Sequence, residues 1–136
     1  MKIDIVSKFS PSKISDRINL RRIPTVNLMK FEGDDNEILN SIIIFLLFRV
    51  SHIIGVTIPL SKFYITICVY KSKSDKPYWY DDSTKIIYLH KDFNENILAH
   101  ELCHAILDIT FNGKMEKRTQ EILCIHADKH LRSRKI

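Results

Sequence analysis

Three segments of the chain have the apolar pattern of β-strands. Lys2–Phe9 alternates apolar and polar residues, which predicts a first strand. Lys62–Tyr70 (KFYITICVY) is rich in β-branched and aromatic residues, which favour strands. Pro77–Leu89 carries two short runs, YWY and KIIYL, on either side of a polar DDS turn. This last pattern predicts a β-hairpin and brings the number of expected strands to four.

The most apolar segment predicts a buried helix rather than a membrane span. A helix over Asn36–Ile54 has Asp34 or Asp35 as its N-cap, and Gly55 is well placed to end it. A transmembrane helix needs about 18 or more uninterrupted apolar residues. Polar residues interrupt this stretch, and Arg49 near its middle would be costly in lipid. We therefore expect a core helix that packs on more than one face, and no membrane partner.

Two further helices follow the predicted hairpin. Asp92 or Asn94 caps a helix from Glu95 to about Thr110, and Asn112-Gly113 stops it. A last helix runs from about Lys114 to Leu131 and ends in a basic tail. The order β, α, β, β, β, α, α predicts an α+β fold with helices on a small antiparallel or mixed sheet.

The remaining segments are predicted to be connections within a single domain. Ser10–Gly33 reads as a long irregular connection with a short strand at Thr25–Phe31, and Ser72–Lys76 as a turn-rich link. The 136 residues suit one domain over positions 1–136. The apolar fraction of 45% is enough for that domain to bury a core.

Charge and cysteine usage favour an ordinary cytoplasmic protein. The formal net charge of +5 is spread over several clusters, which indicates a solvated surface and makes a nucleic-acid partner unlikely. The segment that would contact nucleic acid is the tail Arg132–Lys135. Three cysteines without a CxxC pair do not form a disulfide scaffold. The first residues lack the apolar run of a secretory signal, so we expect reduced thiols in the cytoplasm.

Residues 100–104 read His-Glu-Leu-Cys-His within a predicted helix. Residues four apart lie on one helix face, so both imidazoles can reach one ion, and neutral imidazole is a good zinc ligand. Glu101 lies about 100° round the helix, where it can touch a zinc-activated water without binding the metal. We therefore expect His100 and His104 to hold one zinc per chain and Glu101 to act as general base and then acid.

A catalytic zinc site needs a third protein ligand, and the sequence offers several. We favour Glu121, because apolar residues follow it and a glutamate that faces a core needs a cation. Asp108 lies one turn after His104, but three ligands on one straight helix do not close a tetrahedral site. We expect Asp108 to support the site from outside or to be solvated. The alternatives on the last helix are Glu116, Asp128, His126 and His130.

The segments AHELCHAIL (Ala99–Leu107) and TQEILC (Thr119–Cys124) together resemble the gluzincin metallopeptidases. They resemble most the smallest members of that family, the minigluzincins. The resemblance covers about Tyr78–Leu131, and its most specific part is the five-residue motif. It implies a zincin-like domain that hydrolyses peptide bonds with a zinc ion, acting on a peptide or protein substrate.

The gluzincin resemblance also implies residue roles. It implies a first helix with two histidine ligands and the general base Glu101, and a second "glutamate helix" that supplies Glu121. It further implies that the strand Lys85–Leu89 lines the cleft and holds an extended peptide by β-augmentation. The motif is also similar to that of SprT-like proteases, whose downstream ligand pattern is absent, and of ImmA-type peptidases of mobile elements. The alternative function is a non-catalytic zinc-binding or nucleic-acid-associated regulatory module.

Peptide hydrolysis also needs a group that stabilises the tetrahedral oxyanion. We expect Cys103 to be a small buried residue and not a ligand. The terminal segment His130–Ile136 could lie in the cleft and keep the enzyme latent. The candidates for the oxyanion partner are Tyr78, Tyr80, His126, His130 and Arg118.

Overall fold

Four strands and four helices make up the part of the chain that the computed structural model describes, residues 1–18, 33–71 and 77–133. The predicted strand Thr25–Phe31 and the predicted link Ser72–Lys76 lie outside these residues. In chain order the elements are β1 (Lys2–Ser7), α1 (Pro11–Ser15), α2 (Asp35–Ile54), β2 (Tyr64–Tyr70), β3 (Tyr78–Asp81), β4 (Ile86–His90), α3 (Glu95–Thr110) and α4 (Lys117–Ser133).

The four strands form one mixed sheet in the order β1-β2-β4-β3. β1, β2 and β4 are parallel, with Lys2 opposite Tyr64 and Cys68 opposite Tyr88. β3 is antiparallel to β4, as the predicted hairpin requires, and Trp79 lies opposite Tyr88. The α+β class and the mixed sheet are thus confirmed, and a purely antiparallel sheet is wrong.

One face of the sheet carries the hydrophobic core. Along β2, alternate residues Ile65, Ile67 and Val69 are buried, as the period of two in a strand requires. The equivalent residues of β4, Ile87 and Leu89, are fully buried beside them. α3 packs against β3, β4, α2 and α4, so this helix lies at the centre of the fold.

α2 has the ends that the sequence predicts. The Asp34 carboxylate accepts a hydrogen bond from the Glu37 backbone N–H at 2.9 Å, which caps the helix. Gly55 ends it in the left-handed conformation, with a φ of 70°. By length and composition α2 would also be apolar enough to cross a membrane. Its buried residues, among them Leu46 and Leu47, pack within the domain against α1, α3 and α4.

Two helix boundaries differ from the prediction. The segment predicted to be irregular contains α1, because Ser10 caps it and Pro11 occupies its first turn, where the missing N–H costs nothing. α4 begins three residues later than predicted, at Lys117. The preceding turn places Asn112 and Gly113 at φ values of 53° and 72°, so the chain reverses direction before the helix starts.

Candidate metal centre

α3 presents His100 and His104 on the side of the helix that faces a cavity. Asn94 caps this helix by accepting from the Ile97 N–H at 2.9 Å, which selects Asn94 over Asp92. Leu98, Leu102 and the other apolar residues of the helix lie in the core. The two imidazole rings lie on the opposite side, with their centroids 5.0 Å apart and side chains 22% and 17% exposed.

α4 brings the Glu121 carboxylate between the two imidazoles. Its Oε1 lies 3.0 Å from Nε2 of His100, and its Oε2 lies 2.9 Å from Nε2 of His104. The ligand atoms of the three residues all lie within 4.8 Å of one another. Ligand atoms of a tetrahedral zinc site with bonds of about 2.0–2.1 Å are about 3.4 Å apart. Small side-chain rotations would therefore bring all three atoms around one ion.

No second group of this kind occurs within residues 1–18, 33–71 and 77–133. The alternative ligands predicted on α4, Glu116, Asp128, His126 and His130, do not join the two histidines of α3. His126 and His130 lie instead beside each other, with ring centroids 6.1 Å apart. The donor set of two imidazoles and one carboxylate is one that zinc binds in catalytic sites.

The surroundings of the imidazoles favour the forms that bind metal. Burial lowers the pKa of His100, and the neighbouring His104 lowers it further, against an opposing effect of Glu121. His100 is therefore neutral at physiological pH. Nδ1 of His104 lies 2.6 Å from Oε1 of Gln120, and a ring protonated at Nδ1 donates to this oxygen and leaves Nε2, which lies 2.9 Å from Glu121, free to bind a metal ion. Gln120 was not predicted as part of the site, because its only signal in the sequence is its position beside Glu121.

Glu101 is held close to the ligands but points away from solvent. Glu101 as a whole is only 7% exposed. Burial, together with the charge of Glu121, raises its pKa to about 7, although His104 and the Tyr80 N–H, which donates to its carboxylate, act in the opposite direction. A carboxyl group with a pKa near neutrality can both accept and return a proton at physiological pH.

An ion pair between the partly exposed Lys85 and the buried Asp108 ties the β-hairpin to α3. The Asp108 carboxylate is 4% exposed and accepts from Nζ of Lys85 and from the hydroxyl of Tyr80, each at 2.7 Å. Of the two predictions made for Asp108, the one in which it is solvated is therefore wrong. Burial and the bond to Asp108 raise the pKa of Tyr80 far above its usual value, so its hydroxyl stays protonated.

The cavity beside the ligands, which we call the metal cavity, has a volume of about 530 Å³. β3 forms one wall, and α3 and α4 form the other, so Tyr78 and Tyr80 line it as expected of candidate helpers. The described lining does not include Arg118, His126 or His130. The terminal segment His130–Ile136 was predicted to lie in the cleft. Its residues up to Ser133 continue α4, and residues 134–136 lie outside the described part of the chain.

The strand along the cavity is not the one predicted. Lys85–Leu89 was expected to hold a peptide, but β4 pairs with β2 on one side and β3 on the other. It has no free edge for an added strand, so this prediction is wrong. The strand at the edge is β3, which pairs only with β4 among the described residues. β3 and not β4 is the edge strand because the hairpin places β3 on the side of β4 that faces away from β2.

Two thiols fill the contact between the ligand-bearing helices. Cys103 on α3 and Cys124 on α4 are fully buried and not bonded as a disulfide. The hydrogen bond between them, followed by burial, raises the pKa of Cys124 far above its usual value. Cys124 is therefore a neutral packing residue, and Cys103 is a buried residue of the core, as expected.

Comparison of this chain with protein-family models, with curated proteins and with solved structures found no match. The candidate site is thus characterised by its own geometry. Its three candidate ligands, one buried carboxyl group and an edge strand lie around one cavity.

Proposed function

We propose that this protein is a zinc-dependent peptidase of the gluzincin type. The observation that carries the proposal is the convergence of His100, His104 and Glu121 at one cavity, with the buried carboxyl group of Glu101 beside them. A purely structural zinc site has four protein ligands and no use for a nearby proton acceptor. Here three ligands leave one position for a reacting group.

The two α3 histidines and Glu121 would hold the zinc ion. A bound zinc ion supplies a Lewis acid that polarises a carbonyl oxygen and lowers the pKa of a water molecule to about 7. By accepting from Nδ1, Gln120 would keep His104 in the tautomer whose Nε2 is free to bind the zinc ion. Since the ligands come from two helices that pack closely, their geometry depends on the α3–α4 contact.

Glu101 carries the proton in the proposed reaction. Its carboxylate takes a proton from the attacking water and later gives it to the nitrogen of the leaving amine. In the metal-free protein, burial raises the pKa of this carboxyl group to about 7, which favours its acceptance of a proton. The backbone N–H of Tyr80 donates to this carboxylate and so fixes its orientation relative to β3.

β3 is the element that would bind the substrate. Its outer edge faces the metal cavity over Tyr78–Asp81, where an extended peptide could pair with its backbone. Backbone pairing of this kind positions the peptide bond without reading a particular side chain. Lys85 and Asp108 hold the hairpin on α3 and thereby keep the edge strand at a fixed distance from the ligands.

The test combines zinc analysis with a cleavage assay on unfolded casein, followed by mass spectrometry. We expect one zinc per wild-type chain and cleavage that a chelator abolishes. Glu101→Gln should keep the zinc and lose at least about a hundredfold in rate. Glu121→Gln should lose the zinc, whereas Glu116→Gln, which changes an exposed glutamate near the start of α4, should alter neither.

Two results of this test would refute the proposed peptidase activity. One zinc per chain with no cleavage of casein, or cleavage that Glu101→Gln leaves unchanged, would leave a zinc-binding module without this activity. A chain that binds no zinc at all would refute the metal site itself.

A further inference from the structure

A second cavity lies at the end of the sheet where the parallel strands finish. We call it the strand-end cavity; it has a volume of about 470 Å³ and shares no described lining residue with the metal cavity. Phe9 follows the end of β1, Val69 is near the end of β2, and Lys91 comes directly after β4. The carboxyl ends of neighbouring parallel strands are where open α/β sheets bind ligands.

The floor of the strand-end cavity is apolar and rigid. Ile14, Val69 and Phe93 line it, and they are 4%, 5% and 1% exposed because they also belong to the hydrophobic core. Phe9 is half-buried at its side. The cavity volume lies within the range of about 300–1,000 Å³ that is usual for small-molecule sites.

The rim of the strand-end cavity is cationic. Lys13, Arg17 and Lys91 line it, and Asp16 is the single acidic residue of the lining that the structure describes. None of the three cations forms an ion pair with a carboxylate among the residues that the structure describes. Arg17 presents a planar set of donors that matches carboxylate and phosphate oxygens. The excess positive charge therefore faces the same concave surface as the apolar floor.

We propose that the strand-end cavity binds a small organic anion. Its carboxylate or phosphate group contacts Arg17 and Lys91, and its apolar body lies on Val69 and Phe93. The apolar floor is what distinguishes this site from a merely basic surface, because such a surface attracts inorganic and organic anions alike. The proposal concerns a site separate from the metal centre and stands whether or not the chain is a peptidase.

The test is a titration of the ¹⁵N-labelled full-length chain followed by NMR, with and without added zinc. The probes are phenyl phosphate, benzoate, inorganic phosphate and phenol. We expect phenyl phosphate or benzoate to shift the amides of Arg17, Lys91 and Phe93 with saturation. Inorganic phosphate should bind about tenfold more weakly, because it has no apolar body. Phenol should not saturate, because it has no anionic group. Whichever of phenyl phosphate and benzoate binds more tightly identifies the anionic group that the site prefers.

Two variants locate the binding site. Arg17→Gln and Lys91→Gln should each weaken binding by about tenfold, whereas Lys129→Gln, at an exposed lysine of α4, should leave it unchanged. Both test positions are at least partly exposed, so the variants keep the fold. Shifts confined to His100 and His104, shifts that never saturate, or equal weakening in the Lys129 variant would each overturn the proposal.

Discussion

The buried carboxyl group of Glu101 makes the stability of the metal-free protein depend on pH. Glu101 is 7% exposed, and burial is the main reason that its pKa rises from 4.5 to about 7. Glutamine has nearly the same shape but carries no charge at any pH. Glu101→Gln therefore removes this titration and leaves the packing of α3 almost unchanged.

The sign and size of the effect follow from the two pKa values. The folded state holds the Glu101 proton more tightly than the unfolded state, because the folded pKa is the higher one. The resulting stabilisation is complete below pH 4.5 and is lost as the pH rises through about 7. A change in pKa from 4.5 to about 7 corresponds to about 3 kcal/mol.

His100 titrates in the same pH range with the opposite sign. Burial lowers its pKa below 6.5, so it makes the protein more stable as the pH rises toward that value. Wild type and Glu101→Gln both retain His100. The difference between their free energies of unfolding therefore isolates the contribution of Glu101.

The assay is urea unfolding of both proteins in a chelator, at intervals from about pH 4.5 to about pH 8. We expect the stability of wild type relative to Glu101→Gln to fall by about 3 kcal/mol across this range. Glu116→Gln, at an exposed position, should follow the wild-type curve. Parallel curves for wild type and Glu101→Gln would show that the buried carboxyl group does not titrate as reasoned.

Three further predictions concern stability, and urea unfolding at pH 7 checks each. Asn94→Ala should cost about 1 kcal/mol, because α3 loses its cap, whereas Asn94→Asp should retain most of it. Gly55→Ala should cost about 1 kcal/mol from its φ of 70° alone, since an added Cβ would meet no atom within 4 Å; no loss would contradict this. Lys85→Met should cost about 2 kcal/mol, because it leaves the buried Asp108 carboxylate without a cation, and Lys85→Arg should cost less.

Local signals made the helices of the site predictable. Asp34 and Gly55 mark the ends of α2, and the pairing of His100 with His104 depends only on the period of a helix. Glu121 was predicted as the partner of these histidines, and the structure places it within 3.0 Å of both. The reason given for it was wrong, because its side chain does not face the core but is 49% exposed. The helix ends and the histidine pair are determined by neighbours within a few positions along the chain, whereas the position of Glu121 also depends on how α4 packs on α3.

Features that depend on distant parts of the chain were not predictable in this way. The apolar pattern of β4 shows that the strand is buried but not that β2 and β3 pair with its two edges, so the edge strand was misassigned. Lys85 stands in a polar turn and gives no sign of its contact with Asp108 on α3. The sequence around Gln120 likewise gives no sign of its contact with His104, because this contact depends on the rotation of α4 about its axis.

The parallel pairing of β1 with β2 has a consequence for the order of folding. Lys2 pairs with Tyr64, so β1 cannot join the sheet until much of the intervening chain has been brought together. The hairpin of β3 and β4 and the pair of α3 and α4 form from segments close in sequence, and contacts of that kind form fastest. We therefore expect the half of the domain that carries His100, His104 and Glu121 to take shape first, with closure of the β1–β2 ladder as the slow step.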